Sequence, residues 1–427
     1  MLNTSRLSLD RAPPIAVPLR FFLAAPLYLV VAGLLLGLWG GGLVSRWSPL
    51  ALALTHLLVL GFLGQIMVGA LYQMLPVLVG AEVPLHRAGS LLVWGLLNLG
   101  VPLMAWGLLS AAPPWLAAGG AMVVVALGLF LLAAGIALRP LAGRTATARG
   151  MALALVCLAA TLVLGTLLVA QLNGWLLLGP LPAWVERHLV MGLLGWVGLL
   201  WLGVSLQLIP MFHVTGPYPP RLGRWLAPVI CGLLFAWLAP LPEVVRAPLL
   251  GLVLAGFGLF LGVTLRLLAG RKRRRRDPML WFWWLAIGAL SIALAAWLAG
   301  ASPLLVGVLL LPALAVLLPA GMLLKIIPFL SWYHLQATKS RLRRLEVRLP
   351  KMNDFISPAA GWWQWRLAMA LMAALVAGAL GLPLAMPLAG GLLALLGALS
   401  GFHYWRAYLR HRVVARRLQG PIPPVPR

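Results

Sequence analysis

Residues Thr55 to Pro76 read THLLVLGFLGQIMVGALYQMLP, and Arg187 to Pro210 read RHLVMGLLGWVGLLWLGVSLQLIP. Each run is apolar over the twenty or so residues that a helix needs to cross about 30 Å of hydrocarbon. Each has a histidine near its start and Gln-x-x-Pro at its end. Aligned on the proline, Gly69-x-x-x-Gln73-x-x-Pro76 matches Gly203-x-x-x-Gln207-x-x-Pro210, and Gly321-x-x-x-Lys325-x-x-Pro328 supplies a third copy. Gly61 and Gly195 also align, with Ala313 in their place in the third copy. The whole fold follows from reading these runs as three equivalent membrane helices.

The rest of the chain has the same character. Of 427 residues, 63% are hydrophobic and 9% charged, against roughly 25% charged in soluble domains. Unpaired backbone polar groups are not tolerated in lipid, so the apolar runs should be helices. Twelve spans are expected, at 21–41, 50–79, 90–111, 117–138, 150–176, 185–212, 225–241, 247–269, 279–299, 303–328, 362–382 and 384–405. The fold class is therefore an all-α polytopic membrane protein, with the repeated motif on spans 2, 6 and 10 marking three pseudo-repeated four-helix groups. A single transmembrane domain over 21–405 is expected. It has an N-terminal segment at 1–20, a basic loop at 329–361 and a tail at 406–427. The opening MLNTSRLSLDRAPP lacks a small-residue cleavage site, so span 1 reads as a retained helix.

The net charge of +26 points to topology and not to nucleic acid. With the N-terminus inside, Arg46, Arg187 and Arg246 fall at outer ends and Lys325 within a span, leaving 29 of the 33 basic residues inside. They include RKRRRR at Arg271–Arg276 and the cluster Lys339, Arg341, Arg343, Arg344 and Arg348. This asymmetry places both termini in the cytoplasm of a bacterial-type inner membrane, with the basic runs against anionic headgroups. Cys157 and Cys231 both lie in apolar spans with no Cys-x-x-Cys motif, and read as packing residues.

In the repeat, glycine permits close helix approach. Proline frees a carbonyl one turn back, within reach of Gln73, Gln207 or Lys325 near the cytoplasmic end. The simplest reading of Gly69, Gln73, Pro76, Gly203, Gln207, Pro210, Gly321, Lys325 and Pro328 is packing and helix termination. Lys325 stands out, since a lysine at mid-bilayer costs about 2.5–3.5 kcal/mol, although near the boundary it can snorkel.

Among seven histidines, His56 and His188 alone occupy the outer ends of spans, 20 and 22 residues before the repeated prolines. His86, His213 and His334 follow those prolines on the cytoplasmic side, and His403 and His411 lie in the basic C-terminal end. Two readings stand for His56 and His188: interfacial residues at helix ends, or ligands to heme or to a metal ion. Met67, Met74 and Met191 on the same helices read as core.

Twelve helices, both termini inside and three four-helix arcs resemble the large subunit of the heme–copper oxidase superfamily. His56…Gly69-Ala70-Leu71-Tyr72…Pro76 is similar to helix 2 of the nitric-oxide reductase large subunit, with its His…Gly-Ala-x-Tyr…Pro pattern. The run His188-Leu189-Val190-Met191-Gly192 is similar to the place on helix 6 of a copper or non-heme iron ligand. The resemblance implies that His56 is an axial ligand of a heme b and His188 a metal ligand. It covers the chain in topology, with motifs confined to helices 2 and 6. Two departures limit it. The family needs a histidine pair on helix 7, and the span from Trp225 to Pro240 has none. Helix 10 should bring two heme ligands, yet SPLLVGVLLLPALAVLLPAGMLLKIIP holds no histidine. Turnover of oxygen or nitric oxide is thereby rejected.

Three functions remain open. The first is a heme-binding or single copper- or iron-binding membrane protein, a sensor, metal handler or respiratory accessory linked to nitric-oxide physiology. The second is a permease for a small or lipophilic molecule, for which Gln65, Asn98, Gln171, Asn173, Ser205 and Lys325 are the few polar candidates. No Asp or Glu lies deep in a span, against carboxylate-type proton coupling. The third is a scaffold or assembly subunit without a cofactor. Partners are the bilayer and a membrane electron-transfer protein or quinone, for which Trp281, Trp283 and Trp284 offer an aromatic surface.

Overall fold

The structure, a computed structural model, describes residues 11–43, 45–272, 276–344 and 346–419. The N-terminal ten residues, the centre of RKRRRR and most of the final RLQGPIPPVPR lie outside the described residues. Every long element is a helix, and no strand occurs among the described residues. In chain order the helices are α1 (Ala16–Trp39), α2 (Pro49–Val79), α3 (His86–Leu109), α4 (Pro113–Leu138), α5 (Ala146–Leu172), α6 (Leu181–His213), α7 (Pro220–Leu238) and α8 (Glu243–Ala269). They continue with α9 (Pro278–Leu298), α10 (Pro303–Arg341), α11 (Pro358–Ala379) and α12 (Ala385–Gln419).

Eleven of these are long and apolar enough to cross a membrane. The other is α11, a 22-residue helix that carries Trp362-Trp363-Gln364-Trp365-Arg366 near its start. The polar atoms of that stretch lower its hydropathy, so the expected twelve spans meet eleven by this measure. The exposed faces are as apolar as the buried ones, with Leu27, Leu99, Ile136, Val163 and Leu252 all more than half exposed. A helix that is hydrophobic all round belongs in a core or in lipid, and these faces have no core to meet. The chain is a multi-pass membrane protein.

The contacts gather the described residues into two compact units, with the division falling inside α2. One unit takes 11–13, 70–107 and 113–272, and the other 14–69, 108–112 and 276–419. In the first, α3 and α4 approach backbone to backbone, a Cβ at Gly100 standing 3.0 Å from the Gly119 carbonyl. In the second, α1 lies along α12 through Gly33 and Gly37 on one side and Gly390 and Gly397 on the other. Small residues let the backbones close in, which is how helices find attraction where the solvent is itself apolar.

Two boundaries differ from the sequence reading. The loop expected from residue 329 begins later, because α10 runs through Pro328 to Arg341 and spans 39 residues. At about 1.5 Å per residue it is roughly 58 Å long, almost twice the hydrocarbon thickness. Likewise the stretch expected as a tail from 406 continues α12 to Gln419. Along it Tyr404, Ala407, His411, Val414 and Leu418 are buried at three- and four-residue spacing. His411 Nδ1 lies 3.1 Å from the Ser331 carbonyl oxygen, tying this extension to that of α10.

The repeated prolines lie differently: Pro76 and Pro210 are three residues from the ends of their helices at Val79 and His213, and Pro328 sits inside a continuing helix. After Pro76 the chain stops only at Gly80, whose φ of 77° is the left-handed conformation that glycine adopts without strain. The Gly80 N–H donates to the Pro76 carbonyl at 3.0 Å and the Ala81 N–H to that of Leu75 at 2.9 Å, a glycine C-cap.

Candidate functional site

The repeated helices share a local feature. In α2 the stretch Leu57–Gly64 is π-helical, and in α6 the stretch Met191–Gly198 is π-helical in the same register relative to Pro76 and Pro210. In α10 the π-helical stretch is Ala313–Leu317. Gly61, Gly195 and Ala313 each fall inside one. Such widened turns are rare, and frequent at functional sites.

Each widened helix packs against the helix that precedes it by one. A Cβ at Gly69 would stand 2.8 Å from Phe21 Cβ on α1, at Gly203 3.0 Å from Gly150 Cα on α5, and at Gly321 2.6 Å from Phe282 Cβ on α9. Seven residues further along the partner, Tyr28 faces Gly61 and Cys157 faces Gly195. The repeat therefore extends to α1, α5 and α9, where residue identity does not show it. Gln73 is buried, and Gln207 and Lys325 are half-buried.

His56 is the last residue before the π-helical stretch of α2, and its Nδ1 lies 2.8 Å from the Leu52 carbonyl oxygen. His188 lies three residues before that of α6, with Nδ1 3.1 Å from the Thr161 carbonyl oxygen on α5. A carbonyl only accepts, so in the neutral imidazole Nδ1 holds the proton and Nε2 carries the lone pair. This is how a metal-ligating histidine is oriented by its surroundings. Gly165 makes room for the His188 ring, since a Cβ there would stand 3.1 Å from Cε1. The two histidines belong to different compact units. Glu186, the acid nearest His188 in sequence, pairs with Arg246 at 3.8 Å. Arg246 also reaches Glu243 at 3.3 Å and stacks on Trp237.

A shallow, largely apolar depression of about 470 Å³ is lined by Leu38, Trp39, Ser48, Pro49, Leu50 and Leu109. Neither histidine lines it, so it offers a macrocycle no axial ligand. No cluster of three or more His, Cys, Asp or Glu side chains in metal-binding reach occurs among the described residues.

The remaining candidates are placed as follows. Lys325 Nζ lies 2.7 Å from Asp277 Oδ2, the side chains being 38% and 26% exposed. The lysine therefore meets a carboxylate that sequence reasoning did not single out, although Asp277 directly before Pro278 is a recognisable helix cap. Asn98, Gln171 and Asn173 donate to nearby backbone carbonyls, and Ser205 is buried. Gln65 is buried beside Tyr28. Trp283 is buried while Trp281 and Trp284 are exposed, so the three tryptophans do not form one surface. Trp281 instead joins Trp362 and Trp365, with ring centroids 5.4–6.2 Å apart. Met67 and Met191 are buried in the core.

No family model matches the chain, and no curated protein matches it.

Proposed function

We propose that the chain is an inner-membrane protein of heme–copper-oxidase-subunit-like architecture, with twelve spans in three arcs and both termini cytoplasmic. In this reading it holds one copper or iron ion, or a heme, through His56 or His188 near the outer face. It acts as a sensor, metal handler or respiratory accessory and not as a turnover oxidase. The observation that carries the reading is the Nδ1 atom of each histidine on a backbone carbonyl, at 2.8 and 3.1 Å, which presents Nε2 as the lone-pair nitrogen. The shared register of the π-helical stretches in α2 and α6 supports the repeat behind the architecture. When bound, the ion would supply Lewis acidity or one-electron chemistry. Either histidine would hold it with the ring oriented by that carbonyl bond.

The test is an absorption spectrum of the detergent-purified protein, oxidised and reduced, with metal analysis of the same sample. We expect one equivalent of metal or heme that falls by more than half in His56→Ala or His188→Ala. A Soret band would identify heme, and metal without it a single ion. Folded protein that is colourless and carries no histidine-dependent metal overturns the reading. The repeat would then be a packing framework, and scaffolding or transport would take its place.

A further inference from the structure

Cys157 on α5 and Cys231 on α7 are 74 residues apart in sequence, yet their Sγ atoms lie 3.9 Å apart. Both are free thiols, 0% and 6% exposed, within one compact unit. Cys157 occupies the position that faces the widened turn of α6. A Cβ at Gly195 would stand 2.8 Å from Cys157 Cβ and 3.0 Å from its Sγ, so the glycine keeps room for the thiol. Leu234, one turn beyond Cys231, is buried and closes the same space.

The chemistry of such a pair is narrow. Zinc wants four ligands, and no third His, Cys, Asp or Glu joins these two among the described residues. Thiol sulfur is soft and selects monovalent copper. Charge points the same way, because an uncompensated charge is costly in an apolar interior. A monovalent cation held by one thiolate and one thiol is neutral.

We propose that Cys157 and Cys231 form a two-sulfur site for one Cu(I) ion. The ion arrives by ligand exchange from a thiol or thioether carrier. One thiol loses its proton to solvent or to the carrier, the other stays protonated, and no electron is transferred. With metal–sulfur bonds of about 2.3 Å, an ion between sulfurs 3.9 Å apart sits in a bent bridge of about 116°. Moving the sulfurs roughly 0.7 Å further apart makes the bridge linear. The site shares no residue with His56 and His188 and stands or falls separately from them.

The experiment titrates the full-length, reduced protein in detergent, without oxygen, with Cu(I) presented as a coloured bicinchoninate complex. The wild type is expected to withdraw one equivalent. Cys157→Ala and Cys231→Ala should bind at least tenfold more weakly, while His56→Ala and His188→Ala retain this equivalent. In a His56→Ala/His188→Ala background, a Cu(I) equivalent that survives alanine at both cysteines overturns the proposal, as does wild-type protein that leaves the complex intact. Should the alanine variants aggregate, X-ray absorption of copper-loaded wild type decides. Two sulfur neighbours support the site, and a nitrogen or oxygen shell overturns it.

Discussion

The helix pairs α5/α6 and α9/α10 are built on the same repeat and solve one problem differently. At the start of α5 the cap is Thr145, whose hydroxyl accepts from the Ala148 N–H at 3.0 Å. At the start of α9 it is Asp277, whose carboxylate accepts from the Met279 N–H at 3.2 Å. Five residues on, Gly150 receives Gly203 in the first pair and Phe282 receives Gly321 in the second. Four residues after those glycines stand Gln207 and Lys325. One pair thus combines a neutral cap with a neutral amide, the other a carboxylate with an ammonium 2.7 Å away. The difference teaches that Lys325 is half of a matched change. A charge at the end of a membrane helix is held there by an opposite charge supplied by a helix cap. The unit that holds α5 and α6 contains another neutral pair in Tyr218, whose hydroxyl shares a 2.8 Å hydrogen bond with Thr264 Oγ1.

The largest effect should come from the backbone contact. Gly203→Leu would drive a side chain into α5 at Gly150, and overpacking of this kind costs typically 1–3 kcal/mol or more. We expect loss of most monodisperse protein on size exclusion, with Gly203→Ala milder. A Gly203→Leu protein with the wild-type thermal midpoint would break the proposed equivalence of the pairs.

The charge exchange comes next. Lys325→Gln and Asp277→Thr should each lower thermal stability in detergent, because each leaves one charge without its partner. The double variant, which recreates the chemistry of Gln207 and Thr145, should recover much of the loss. The coupling should be on the order of 0.5–3 kcal/mol, as for residues in direct contact. Strictly additive losses would show that the two groups do not act as a pair.

The neutral pair gives the smallest effect. Tyr218→Phe removes one hydrogen bond and should cost about 1 kcal/mol. Burial pushes the Tyr218 hydroxyl from 10.0 up to about 12, with the bond to Thr264 working in the opposite direction. The folded protein therefore holds this proton more tightly than the unfolded chain does. Its stabilising contribution is complete below about pH 10 and is lost as the pH rises from there towards 12. Thermal midpoints across that window should fall less for Tyr218→Phe than for wild type, and parallel curves would contradict the assignment.

Much of this architecture was legible in the residues. Runs of apolar side chains long enough for the bilayer mark eleven of the twelve long helices, and the proline-aligned motif locates α2, α6 and α10. Glycines 69, 203 and 321 announce close approach because only a missing Cβ allows it. The helix ends were less legible. Pro328 and the charges after it read as a stop, yet α10 continues because Leu335 and His411 bury the extension against α12. The matching positions on α1, α5 and α9 were invisible. Phe21, Gly150 and Phe282 share no chemistry, and their equivalence rests on which glycine each one meets.

By itself the sequence determined that this is a multi-pass helical membrane protein with three related helices, because hydropathy and the reach of a helix are local properties. Only the tertiary structure decided which polar groups meet. Asp277 and Lys325 are 48 residues apart, Cys157 and Cys231 74, and Thr161 and His188 27. No local pattern encodes such contacts. They follow from the rotation of each helix about its axis, which is set by the packing of small residues against neighbouring backbones.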